Sequence, residues 1–129
     1  MLQIHHQVPH FEVTTTSGER VRYATIWQHR PLALVCLPDR NQGVGASGAD
    51  DAYLASVAAL GASADAAVVV TRDPIEGLTA PAALVADQWG EIFFLSSASS
   101  VEQLPPAAEL DEWLRWVRMK CPECEGEAK

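Results

Sequence analysis

The sequence predicts an α/β domain. Two continuous apolar runs, PLALVCLP at 31–38 and AAVVVTRD at 66–73, flank a helical stretch. Apolar runs of that length without polar alternation suit strands buried on both faces, and a strand–helix–strand order makes the two strands parallel. The chain then closes on a strand pair at 80–97 and an amphipathic helix at 106–121.

Each element has a local cause. In HFEVTTTSGERVRYAT, residues 10–25, Phe11, Val13 and Thr15 alternate with their neighbours, SGE supplies turn chemistry, and Val21 and Tyr23 resume the alternation. That pattern is a β-hairpin. DAYLASVAALGA, residues 51–62, places Tyr53, Val57 and Leu60 at i, i+4 and i+7, and Gly61 is a natural stop. APAALVADQWGEIFFLSS, residues 80–97, reads as two antiparallel strands around a DQWG turn. In the last helix Leu110, Trp113, Leu114, Val117 and Cys121 share a face, Asp111 and Arg115 form an i, i+4 pair, and Arg118 and Lys120 suit the helix dipole. The expected order is β-hairpin, β-α-β, β-β-α. About ten residues, RDPIEGLTAP, separate the second parallel strand from the next one, and Pro74 and Gly77 leave room for one helical turn at most.

The bulk composition narrows the class. The chain has 129 residues, 48% hydrophobic and 20% charged, which is one globular domain. We divide it into a folded domain at 1–120 and an acidic tail at 121–129. The net charge of −8 disfavours nucleic acid and anionic membrane surfaces as partners. No apolar run approaches the roughly 18 residues of a membrane span. MLQIHHQVPH lacks the basic start and apolar stretch of a secretory signal, and three cysteines do not make a disulfide scaffold, so a cytoplasmic location is expected.

Several segments together carry a family resemblance. VPHFEVTTTSGERVRY is similar to the redoxin opening, a Pro-x-Phe strand followed by a Gly-containing turn. RPLALVCLP resembles the central strand that leads to the active site, and APAALVADQWGEI resembles the segment with a cis-proline, a strand, an acidic residue and a Gly turn. Across residues 8–120 the chain resembles the thioredoxin-like fold, in its peroxiredoxin/redoxin branch. The resemblance implies a cis bond at Ala80–Pro81. It also implies a nucleophilic cysteine just after the strand that matches 32–37, activated by a helix N-terminus. Here that loop, PDRNQGVGASGADD at 38–51, contains no cysteine. Cys36 lies inside the strand, where a thiol is a small buried hydrophobe. Ser47 has no partner base and reads as a helix cap.

GVGASG, Gly43–Gly48, matches G-x-G-x-x-G letter for letter, and Asp73 follows a second strand about 25 residues on. PDRNQ separates the motif from its strand, however, and Asp50 and Asp51 at the helix start would repel a pyrophosphate. A capped loop is the expected role. His5, His6, His10 and His29 are scattered and read as exposed surface histidines; on an extended chain His5 and His6 would face opposite sides.

Cys121 and Cys124 form a C-x-x-C after the last helix. Activated pairs sit at a helix N-terminus. This one follows a C-terminus, among Glu123, Glu125 and Glu127, where thiolate is disfavoured. Three readings stand: a slow redox dithiol, half of a zinc site completed by a second chain in a two-fold dimer, or two idle thiols. Two functions follow. One is a peroxiredoxin-like thiol-dependent oxidoreductase with a degenerate site, acting on a protein thiol or disulfide partner through Cys121 and Cys124, with Cys36 as a further candidate. The other is a non-catalytic thioredoxin-fold module that binds a partner or self-associates. Apart from zinc, no cofactor is expected.

Overall fold

The computed structural model describes residues 2–37, 53, 55–57, 59–60, 66–98 and 103–119, with side chains to residue 117. It is a mixed α/β domain with two sheets. Strands β1 (Glu12–Thr14) and β2 (Arg20–Arg22) form the antiparallel hairpin that the alternation predicts. The second strand is shorter than the pattern, because Tyr23–Thr25 turns into a single 3-10 coil with Tyr23 buried. Gly18, at φ 93, supplies the turn.

Strands β3 (Leu32–Cys36), β4 (Ala67–Thr71), β5 (Ala82–Ala86) and β6 (Ile92–Ser97) make the main sheet in the order β4-β3-β5-β6. β3 runs parallel to β4 and antiparallel to β5, and β5 pairs antiparallel with β6. The two continuous apolar runs are thus β3, a central strand, and β4, at the edge of the sheet. All ten residues of β3 and β5 are buried, so these strands have no polar face to alternate. Residues 72–81 hold a turn at 76–77 and no helix, as their length and Pro74 predict. Ile75 from this segment is buried in the core.

The two faces of the sheet are covered differently. On one face Leu32, Leu34, Cys36, Leu84 and Ile92 meet the hairpin through Phe11, Val13, Tyr23 and Ile26. On the other face lie the helices. Helical residues 53, 55–57 and 60 (α1) contribute Val57 and Leu60, and α2 (Ala107–Met119) contributes Leu110, Leu114 and Val117. Pro106 starts α2: its carbonyl accepts the Leu110 N–H at 3.3 Å, and Glu109 stands in the first turn, where the dipole favours an acid. Each fully buried leucine of this face contributes about 1.5–3 kcal/mol. The Asp111–Arg115 pair is present at 2.9 Å. Tyr53 anchors α1 to the segment before α2 by donating its hydroxyl to the Pro105 carbonyl at 2.9 Å.

Both sheet edges are partly capped by the chain itself. Thr16 N–H bonds the Val70 carbonyl at 2.9 Å beside the Thr15–Thr71 bridge, on the β4 edge. On the β6 edge the N-terminal segment pairs with Ile92, His5 N–H to its carbonyl at 2.7 Å and Ile92 N–H to the His6 carbonyl at 3.0 Å. Such cover blunts strand edges that would otherwise template further pairing.

Candidate functional site

The first place to look is the end of β3, where the resemblance implies an active site. Cys36 sits opposite Thr71 on β4 and Ala82 on β5, next to the cis Ala80–Pro81 bond. Its side chain belongs to the core under the hairpin and is 3% exposed. Burial pushes the Cys36 thiol up to about 12, so at neutral pH it is protonated and no nucleophile. Thr71 is equally committed. Its hydroxyl donates to the Thr14 carbonyl at 2.7 Å and accepts the Asp73 N–H at 3.0 Å. Asp73, the acid at the ribose-like spacing, accepts the Thr14 N–H at 2.8 Å and lies 3.9 Å from Arg20. It is therefore a clamp between the hairpin and β4.

The other sequence candidates divide into surface groups and residues outside the described set. All four histidines are exposed. His5 and His6 are not on an extended chain: His5 has φ 76 in a turn, and its Nδ1 lies 2.8 Å from the Glu91 carboxylate. His10 packs edge-on against Tyr23 and Trp27. Gly43–Gly48, Ser47, Asp50, Asp51, Cys121 and Cys124 lie outside the described residues. Among the described residues, no group of three or more His, Cys, Asp or Glu is placed to hold a metal ion, and no helix is long and apolar enough to cross a membrane.

A groove of about 800 Å³ opens elsewhere, between α2, β6 and the N-terminal segment. Its origin is one irregularity. Ala86 pairs with Ile92, but Val85 pairs with Phe94, so Phe93 is the extra residue of a β-bulge. Along a regular strand, consecutive side chains point to opposite faces; a bulge breaks that rule and re-aims one of them. The result is that Ile92 packs under the hairpin, while Phe93 and Phe94 both pack on the helix side. Phe94 stacks on Trp113 at 5.4 Å between ring centres, and Phe93 meets Trp116 edge-to-face at 5.2 Å. Trp113 and Trp116 meet each other at 5.9 Å, and the His5 ring stands against Phe93 at 5.7 Å.

Ile4, Pro106, Ala108, Glu109 and Glu112 complete the walls. Of the three large hydrophobic side chains exposed among the described residues, two, Ile4 and Trp116, are here; the third is Trp89. Sequence reading placed Trp113 on the core face of its helix and passed over Phe93, Trp116 and Ile4. The available signal was the i, i+3 tryptophan pair together with the Phe-Phe step, which no alternating strand can bury on one side.

No family model and no curated protein matches the chain. Among solved structures it is similar to aklavinone-11 hydroxylase in its ternary complex with FAD and aklavinone, at TM-score 0.45 and 18% identity over 86% of this chain. The chain spans 20% of the length of that protein.

Proposed function

We propose that the chain is a thioredoxin-like domain of the peroxiredoxin/redoxin type that has lost thiol catalysis at the sheet end and works as a binding module. The order hairpin, β-α-β, β-β-α and the cis bond before β5 support the thioredoxin-like part of this reading. One observation carries the non-catalytic part. Cys36, the free cysteine among the described residues, is buried within the sheet with its thiol pushed up to about 12. A nucleophile must be accessible and at least partly ionised, and Cys36 is neither. The sheet end has hydroxyl and carboxylate groups, but Thr71 and Asp73 spend them on holding the hairpin.

The test is turnover. Purified protein is incubated with hydrogen peroxide, an organic hydroperoxide and a small disulfide, with a thiol reductant present, and consumption is followed. The expected result is none above the reductant alone, in wild type and in Cys36→Ser. Peroxide consumption that Cys121→Ser abolishes would overturn the binding-module reading in favour of a thiol-dependent oxidoreductase. Zinc is assayed on the same sample, since half an ion per chain is what a bridged dimer through Cys121 and Cys124 requires.

A further inference from the structure

We infer that the groove between α2, β6 and the N-terminal segment is a binding site for a small organic cation with an apolar, aromatic body. The inference rests on the binding-module reading and names the ligand class. Volume sets the first limit. About 800 Å³ lies within the range of small-molecule sites, about 300–1,000 Å³. The floor is aromatic: Phe93, Trp113 and Trp116 meet mostly edge-to-face, which leaves ring surface turned to the opening, and Trp116 is 48% exposed.

Charge decides the sign of the ligand. Glu109 and Glu112 lie one helical turn before Trp113 and Trp116, at i, i+4, so the two carboxylates and two indoles form adjoining stripes on α2. Neither carboxylate has an ion-pair partner among the described residues, and no Lys or Arg is among the described residues lining the groove. The histidine that lines the groove, His5, is already engaged with Glu91 at 2.8 Å. Arg115 is turned to Asp111 at 2.9 Å. Ring faces are themselves negative, so the walls and the rim attract the same kind of group. An apolar anion would meet two carboxylates that have no ion-pair partner among the described residues. A neutral aromatic would gain the burial but leave the carboxylates unpaired.

Tetraphenylphosphonium and tetraphenylborate make a clean probe pair, because shape and apolarity match and only the charge differs. Each is titrated into ¹⁵N-labelled full-length protein while the four tryptophan indole N–H signals are followed, with circular dichroism checking that each variant is folded. The cation is expected to shift the Trp113 and Trp116 signals, and to leave those of Trp27 and Trp89 in place. It should bind about tenfold or more tightly than the anion at low salt, and the preference should shrink as salt rises. Trp116→Ala should weaken the cation several-fold. The double variant Glu109→Gln, Glu112→Gln, which keeps every aromatic contact, should remove most of the preference between the two probes. Equal or tighter binding of tetraphenylborate, shifts centred on Trp89, or no saturation by about 1 mM cation would each overturn the inference. Those outcomes leave the non-catalytic reading standing. Peroxide turnover would overturn that reading without touching the groove.

Discussion

The end of β3 and the groove beside β6 belong to the same sheet and have opposite characters. At the end of β3, the Thr71 hydroxyl and the Asp73 carboxylate are bonded to the hairpin or the turn beside it, and the thiol is buried at 3% exposure. Beside β6, an indole stands half exposed and two carboxylates lack partners among the described residues. The difference follows from strand position. β3 and β5 are central, wrapped by hairpin and helices, and close packing there excludes ligands along with water. β6 is an edge strand with a bulge, where packing is incomplete by construction. A reactive group placed in the first environment is silenced, and an apolar group in the second is on offer.

Two substitutions, a thiol labelling and a titration test that contrast. The strongest effect is expected from Leu114→Ala, which empties the fully buried contact between α2 and the sheet. A loss of about 2–5 kcal/mol in denaturant unfolding is expected; a loss near zero would mean that α2 is not fixed against β3 and β5, and the groove would lose its wall. Next is Gly90→Ala. Gly90 has φ 86, and an added Cβ would come within 2.9 Å of the Gln7 amide oxygen and the Tyr23 hydroxyl. The cost should be about 1–3 kcal/mol, read in the same way.

Thiol labelling addresses the closed site directly. Cys36 should resist iodoacetamide at pH 8 in native protein and react once denatured, as peptide mass mapping would reveal. Labelling of Cys36 in the native state at the rate of a free thiol contradicts its burial. The mildest perturbation is alkaline titration. Tyr23 and Tyr53 are the two tyrosines of the chain. Burial pushes both up to about 12, with the Asp87 charge adding to the rise at Tyr23. The folded state therefore favours the neutral phenol. Its contribution to stability is complete below the unfolded value of about 10 and is lost as pH climbs through about 12. Absorbance near 295 nm should show little tyrosinate at pH 10.5 in native protein and most of it in denatured protein; coincident curves would refute the shift.

Much of the fold is legible in the sequence because it rests on periodicity. The apolar residues of the runs at 31–37 and 66–71, the Tyr53, Val57, Leu60 spacing and the Leu110, Leu114, Val117 stripe lie in the core or pack against it. The shortness of β2 was not legible, since Val21 and Tyr23 alternate as a strand would, yet the chain coils at Tyr23 to bury it against Phe11 at 5.4 Å. The groove was less legible still. It joins Ile4, Phe93 and Trp116, which no local pattern connects, and it depends on a pairing irregularity that appears only when β5 is laid against β6. Polar commitments such as Asp73 to Thr14, 59 positions apart, are invisible for the same reason.

The extra residue at Phe93 also has a consequence for how this chain tolerates change. A strand assigns its side chains to faces by odd and even position, and the extra residue resets that count between Ile92 and Phe94. Deleting Phe93 alone would leave Ile92 opposite Ala86 and Phe94 opposite Val85, each on the face it already occupies, and would remove only the extra side chain that walls the groove. The groove wall is thus separable from the sheet that carries it: one residue can be lost at 93 while the pairing on either side of it keeps its register.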